Sequence, residues 1–438
     1  MTDLRRTDRD LMRAMNTKLV LDVVRGVDMT SQADLIKATR LSTGTIVSIV
    51  RELRKLGMLA DLGPGASRGG RKPTLLKLNS AAAVVLACRV GSNSATVGVL
   101  DLNGNILSRR DLVLAPGCGP EPFMAALVAC LKDQLHQLAP RNDRVAGLGL
   151  SLHGPVDAAR GVLLFSEHLG WRDVPFRDEL GRALGLPVFA DAETRAIAMA
   201  EQCWGAARGA QDFVLIELDS GIGMAQVLDG KLCRGSHSLA GELGFTTWGT
   251  VPAAGAPRQP LVLEQVASLH ALCRQAGETA SGDGHGSAVQ GNIVGSEELC
   301  LQRLVEASRS GNTRARRILD NTARQLGMAV ANVINLLDPE LILLSGRMVS
   351  GDEDGLFRLV SDHARAYLVG AQDRAPRIEA TALGADAALR GAARLVIDHF
   401  FSVENLAQGR VSGHGFSAVP VRRVSRKRPA RHARQLKS

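Results

Sequence analysis

Aromatic side chains are scarce in this chain, at 3% of 438 residues with a single Tyr. That excludes, as a principal device, a surface that stacks single-stranded bases on successive rings. Cores must instead be packed from Leu, Val, Ile and Ala. The seven cysteines (88, 118, 130, 203, 233, 273, 300) include no CxxC pair. Neither a disulfide framework nor a zinc knuckle fits that spread, which suits a reducing compartment. The opening MTDLRRTDRDLM has charges but no apolar stretch behind them, so no secretory signal is expected. The longest apolar run, Ala81–Cys88, is far below membrane-spanning length. A cytoplasmic protein without a membrane partner is expected.

Acidic residues are missing from one region altogether: residues 405–438 hold nine Lys and Arg and no Asp or Glu. Residues 1–80 hold 15 Lys and Arg against 8 acids, which leaves −7 for the middle of a chain of net charge +9. An acidic body with two positive ends suits a DNA-binding module attached to another domain. The length itself predicts two or three folding units.

Apolar residues at 11, 12, 15, 19, 20, 23 and 24 predict a helix over Leu11–Val24. Thr30 or Ser31 can cap a second helix, Gln32–Thr39, with Asp34 completing a capping box. Ser42 caps a third, whose apolar face is Ile46, Ile49 or Val50, Leu53 and Leu56, and Gly57 ends it. Strands Met58–Leu62 and Thr74–Leu78 then flank the loop Gly63–Pro73. Three helices closed by a two-stranded wing form a compact reader of DNA. Ser42, Thr43, Gly44, Thr45 and Ser48 give the third helix a short polar tip that can enter a major groove. Gly44 costs a helix about 1 kcal/mol, which close approach to a partner offsets. Arg68, Arg71 and Lys72 lie among glycines in the wing, positioned to track phosphates or enter the minor groove. Arg51, Arg54 and Lys55 point to the DNA backbone or to solvent.

From residue 83 the texture is α/β. Strands Val84–Arg89, Ala95–Leu100 and Ile106–Arg110 lead to helix Pro122–Leu138, strand Val145–Leu150, helix Arg177–Leu184, strand Pro187–Ala190 and helix Arg195–Trp204. The pattern restarts at Phe213–Leu218 and Met224–Leu228, so two related lobes are expected. Residues 250–295 read as loops around one helix, Leu261–Gln275. Helix Thr313–Leu337, strand Leu341–Leu344 and helix Asp386–Phe400 follow, and from about 403 the chain reads as an unstructured basic tail.

Asn16-Thr17, Ser31-Gln32-Ala33-Asp34-Leu35, Leu41-Ser42 through Gly44-Thr45-Ile46-Val47-Ser48, and Gly69-Gly70-Arg71-Lys72-Pro73 resemble the N-terminal module of the ROK family (repressors, open reading frames and kinases), in particular its xylose and N-acetylglucosamine repressor group. The resemblance runs on to about residue 400. It implies a winged helix-turn-helix over 1–79, then an actin-like, ribonuclease H-like sugar-kinase fold. Its first lobe would span 80–205, completed by helix 386–400. The second, over 206–385, would carry the dimerisation surface and one wall of an effector cleft. It also implies a homodimer or homotetramer on a palindromic double-stranded operator, with a sugar or sugar phosphate as effector.

Against the family pattern the chemistry is degraded. In the first phosphate loop, before Gly91, Arg89 replaces an acid; it either attracts an anion or forms a salt bridge. In the second, Asp219-Ser220-Gly221-Ile222-Gly223 puts a carboxylate where the family has glycine. The stretch bearing the catalytic base becomes Ala192-Glu193-Thr194-Arg195, with Glu193 in the base position and Arg195 able to neutralise it. Glu242 and Glu264 are retained, His168 replaces a sugar-facing Asn, and Phe245 replaces a His that binds sugar and zinc. The family's Cys run is missing from Val251–Val262, so no metal site is expected. Trp171 either stacks on a sugar or fills the core, and His153 and His237 read as loop residues. The expectation is a non-enzymatic, cofactor-free regulator, more often a repressor. An active ATP-dependent sugar kinase with a DNA-binding head, and a protein-tethering adaptor, are the alternatives.

Overall fold

A computed structural model describes residues 2–65, 73–91, 94–113, 115, 117–138, 144–253, 256–277, 293–350, 355–369 and 375–409, with side chains described outside 2–8, 251–258 and 291–296. The expected wing cations Arg68, Arg71 and Lys72 and the tail beyond 409 lie outside these residues.

The chain begins with α1 (Thr2–Arg25), β1 (Thr30–Ser31), α2 (Gln32–Thr39), α3 (Thr43–Lys55), β2 (Leu59–Pro64) and β3 (Thr74–Leu78). β3 pairs antiparallel with both β1 and β2. The sheet therefore has three strands, not the two expected, because a two-residue strand carries no periodic signal. Both halves of the capping box at α2 are made: Ser31 Oγ accepts from the Asp34 amide at 3.2 Å, and Asp34 Oδ2 accepts from the Ser31 amide at 3.2 Å. Arg40 ends α2 in the left-handed conformation, at φ 58°, which is uncommon for a residue with a side chain. Ser42 caps α3 by accepting from the Thr45 amide, 3.2 Å away. Ile46, Ile49, Val50 and Leu53 are buried on the inner face of α3, each such side chain contributing about 2 kcal/mol.

The first lobe consists of β4 (Val84–Val90), β5 (Ser94–Asp101), β6 (Ile106–Val113), α4 (Pro120–Leu138), β7 (Val145–Leu152), β8 (Val156–Asp157), β9 (Val162–Ser166), β10 (Trp171–Val174), α5 (Phe176–Leu184), β11 (Val188–Ala192) and α6 (Glu193–Trp204). Its main sheet has the order β11-β7-β4-β5-β6, and a small sheet of β10-β9-β8 stands beside it. The second lobe consists of β12 (Phe213–Leu218), β13 (Ile222–Leu228), β14 (Lys231–Cys233), β15 (Thr247–Ala253), β16 (Ala256–Val262), α7 (Leu263–Ala267), α8 (Leu269–Ala276), α9 (Ile293–Arg309), α10 (Thr313–Leu337), β17 (Leu341–Ser345), α11 (Leu356–Ala366) and β18 (Arg377–Ala380). Its sheet, β14-β13-β12-β17-β18, repeats the plan of the first. In each lobe three antiparallel strands are extended by two parallel ones. The hairpin β15–β16 occupies sequence expected to be loop; cross-strand pairing orders a Gly-, Ala- and Pro-rich segment whose composition argues against strands.

The chain closes with α12 (Ala387–Phe400) and α13 (Val403–Ala407). α12 returns to the first lobe and lies between α6 and β7. Two glycines permit this: a Cβ on Gly149 of β7 would sit 1.8 Å from the Ala392 carbonyl oxygen, and one on Gly391 would sit 2.0 Å from that of Ala196. α13 begins a segment expected to lack structure, yet Ser402 caps it and it lies against α1. The core of the N-terminal elements continues into this lobe, with Val20, Leu21 and Val24 in one cluster with Val85, Leu389, Phe400 and Phe401. The Arg25 guanidinium lies 5.1 Å from the Phe401 ring centroid, and Arg208 Nη2 donates to the Gly26 carbonyl at 2.6 Å. Among the described residues no helix is long and apolar enough to cross a membrane.

Candidate functional site

Two mixed α/β sheets leave a crevice beyond the carboxyl ends of their parallel strands, where ligands bind in open α/β folds. Here it is a cleft of about 480 Å³, lined from both lobes. Arg89 comes from the end of β4, His153 follows β7, Glu193 follows β11, Asp219 follows β12 and Arg347 follows β17. All the expected phosphate-loop residues (Arg89, Gly91, Asp219, Ser220, Gly221, Gly223) and all the expected effector residues (His168, Glu193, Arg195, Glu242, Phe245, Glu264) line it.

Their pairing differs from expectation. Arg89, not Arg195, neutralises Glu193: its Nε donates to Glu193 Oε1 in a very short contact. His153, expected as a loop residue, places Nδ1 3.6 Å from the other Glu193 oxygen, and its Nε2 lies 3.3 Å from His168 Nδ1. Burial raises the Glu193 carboxyl, but the Arg89 charge and the His153 contact outweigh it, and the group is held below its ordinary value. Arg195 is instead a buried brace. Its Nε donates to Asp191 at 2.5 Å, Nη1 to the Ser238 carbonyl at 2.9 Å and Nη2 to that of Val156 at 2.8 Å.

A second ion pair closes the opposite wall. Arg347 donates from Nε to Asp219 Oδ1 at 2.9 Å and from its amide to Oδ2 at 3.1 Å. Its Nη2 also reaches Ser220 Oγ at 2.6 Å and Glu297 Oε2 at 3.1 Å. Burial works against the Asp219 anion, yet the Arg347 bonds hold its carboxyl below the ordinary value. Between the two pairs sits Glu217, which accepts from Thr194 Oγ1 at 2.6 Å. Burial first, and then the Glu193 charge, raise it to about 7. The site roles of His153, Glu217, Asp191 and Arg347 were missed in the sequence because no motif marks them; position at or just beyond a strand's carboxyl end was the available signal.

Phe245 is 40% exposed and meets Phe165 edge-on, with ring centroids 6.3 Å apart. The family's zinc does not fit here: Phe245 offers no donor atom, and neither β15 nor β16 contains a Cys or His. Trp171 belongs to the core, 3% exposed between Phe123 and Phe176, its Nε1 donating to the Cys118 carbonyl at 2.9 Å.

On α3, Ser42, Thr43, Gly44, Ser48 and Arg51 are exposed, while Thr45 is half-buried with its hydroxyl 2.9 Å from that of Ser42. Arg54 pairs with Asp61 at 2.7 Å. A Cβ on Gly44 would have no neighbour nearer than Ser42 Oγ at 4.0 Å, so nothing within the chain requires glycine there. Arg40, exposed in the turn before α3, joins this surface.

The sequence profile of the ROK family matches residues 85–399, the two lobes described above. The chain belongs to the ROK family. It is 25% identical over 390 residues to a putative xylose repressor of Caldicellulosiruptor sp., an alignment covering 88% of this chain and 96% of that protein. It is 28% identical over 318 residues to a glucokinase of Halalkalibacterium halodurans, covering 72% of this chain and 95% of the enzyme. A crystal structure of a ROK family transcriptional regulator, a homolog of the E. coli MLC protein, superposes with a TM-score of 0.73 at 25% identity, covering 92% of this chain and 99% of that one. This ROK-family chain thus has the sugar-kinase-like α/β fold that regulators and kinases share.

Proposed function

We propose that this ROK protein is a transcription regulator, more specifically a repressor, whose residues 1–79 form a winged helix-turn-helix that reads DNA. Its two-lobed body senses a sugar-sized ligand without phosphorylating it. The exposed polar tip of α3 carries this reading: four small residues and Arg51 face outward from a helix whose other face is fully buried, the surface a major groove admits. The relatives agree with it. The repressor and regulator alignments span 88% and 92% of the chain, whereas the glucokinase alignment spans 72%. Arg68, Arg71 and Lys72 are assigned to the wing from sequence alone. A homodimer placing two such heads on one DNA face requires a palindrome with half-sites separated by whole helical turns.

The state of Glu193 supports a body that does not phosphorylate. A general base must be free to take a proton, and this carboxylate is already bonded to Arg89 and faced by His153. In the second phosphate loop Asp219 engages Arg347, which is then not available to a phosphate.

The test is selection of bound fragments from the source genome by the full chain at moderate salt. Enrichment of a palindromic site, weakened at least about tenfold by Ser48→Arg at unchanged melting temperature, is expected. No enrichment would remove the regulator assignment. ATP turnover with a hexose panel, using Glu193→Gln as control, should stay at background; turnover that this substitution abolishes would establish the kinase instead.

A further inference from the structure

The cleft carries an excess of negative charge that its own cations do not balance. Five carboxylates line it (Glu167, Glu193, Asp219, Glu242 and Glu264), with Glu217 largely protonated among them, against three guanidiniums. Each guanidinium is committed: Arg89 to Glu193, Arg347 to Asp219 and Arg195 to Asp191. The half-buried Glu242 carboxylate makes no hydrogen bond or ion pair among the described residues, and of the cleft's cations only the Arg195 charge, itself bonded to Asp191, acts on it. Glu264, close enough to Glu242 for their charges to repel, spends one oxygen on the Ile222 amide at 2.9 Å.

A second observation is independent of charge. Ser166, at the end of β9, lines the same cleft and is 3% exposed, yet its hydroxyl has no partner among the described residues. A buried, unpaired hydroxyl is costly unless a ligand satisfies it. Beside it the Phe165 and Phe245 rings offer an apolar wall with electron-rich faces, suited to the C–H face of a sugar ring and to a nearby cation.

We propose that the ligand of this cleft is an amino sugar, a hexose-sized ring bearing a free, protonated amine. Its ammonium group is held by the Glu242 and Glu264 carboxylates, its apolar face lies on Phe245, and one hydroxyl meets Ser166. Sugar phosphates and nucleotides are excluded, because each would bring negative charge among carboxylates whose counter-ions are already used. A volume of about 480 Å³ is at the small end of ligand pockets, adequate for one ring. The inference rests on the sensor reading of the body given above.

The experiment is calorimetric titration of the full chain at pH 6.5 with glucosamine, galactosamine and mannosamine, each against its parent hexose, and with glucose 6-phosphate. The operator affinity of the ligand-free chain is measured in parallel. At least one amine should bind about tenfold or more tightly than its parent hexose, and the phosphate should not bind. Glu242→Gln should reduce that preference to about twofold or less. The proposal is overturned if no amine outbinds its hexose, if the phosphate binds best, or if the preference survives in the Glu242→Gln/Glu264→Gln double variant. The comparison among sugars uses the unaltered chain, so it stands even if a variant folds poorly. Operator binding that persists while the amine preference fails would sink this inference alone; loss of operator binding would sink the regulator reading.

Discussion

Replacing Glu217 by Gln should stabilise the protein, and only above the pH at which an ordinary carboxyl ionises. The side chain sits at the end of β12, with Glu193 and Asp219 acting on it as like charges, and its one hydrogen bond comes from Thr194 Oγ1 at 2.6 Å. A Gln carbonyl accepts that same bond, so the substitution removes the titration and little else. The folded protein holds the Glu217 proton up to about 7, against an ordinary 4.5. Between those values the unfolded chain binds fewer protons than the folded one, so stability falls as pH rises. Moving a carboxyl that far costs the charged form about 3 kcal/mol. Gln carries no such cost. Urea unfolding of both proteins at matched ionic strength should therefore show a difference under about 0.5 kcal/mol at pH 4.5, rising to about 3 kcal/mol in favour of Gln by pH 7 and flat above it. The sign is unusual, since paired carboxylates normally favour the folded state at high pH. A difference independent of pH, or a Gln variant less stable at pH 8.5, would refute the burial of Glu217 beside Glu193 and Asp219.

Arg89→Ala should cost about 3 kcal/mol, because it strands the buried Glu193 charge, and adding Glu193→Gln should restore most of the loss, as read by the same unfolding assay. Gly44→Ala should stabilise α3 by up to about 1 kcal/mol, since the new methyl meets nothing nearer than 4.0 Å, while weakening operator binding about tenfold; unchanged affinity would place the tip of α3 away from DNA. Gly391→Ala should destabilise by about 3 kcal/mol, because its Cβ would fall 2.0 Å from the Ala196 carbonyl oxygen; a neutral effect in thermal melts would mean that α12 and α6 are not in contact as described. Removing the basic residues beyond Gly409 should weaken binding to all DNA sequences alike and flatten its salt dependence; an unchanged salt slope would show that the tail does not meet phosphates.

Local signals carried much of the fold. Ser31 with Asp34, and Ser42 with Thr45, are separated by three residues, so the helices they cap could be read from neighbours alone. α2 and α10 occupy the residues that the pattern predicted, and the restart of strand, turn and strand at Phe213 anticipated the second lobe. What remained hidden depends on distant partners. β1 exists only because Leu75 and Leu76 pair with it. α13 is held against α1, nearly four hundred residues earlier.

The site divides along the same line. Strand ends and glycines marked which residues would line the cleft, because the backbone delivers them there by topology. Whether a charge is available to a ligand depends on what faces it, and here the facing residues come from elsewhere in the chain. Glu193 is neutralised across 104 positions by Arg89, and Asp219 across 128 by Arg347. Arg195, the cation nearest Glu193 in sequence, lines the cleft but spends its guanidinium on Asp191, one helical turn away. Reading the sequence by adjacency therefore assigned the right residues to the cleft and one wrong pair, Arg195 with Glu193, while the salt bridge open to Arg89 is the one formed. The correction matters chemically. With Arg89 and Arg347 both engaged, no free cation is left at either phosphate loop among the described residues, while the Glu242 carboxylate makes no ion pair. A nucleotide needs the reverse distribution, so phosphoryl transfer is opposed by which charges remain unpaired and less by which residue type occupies the base position.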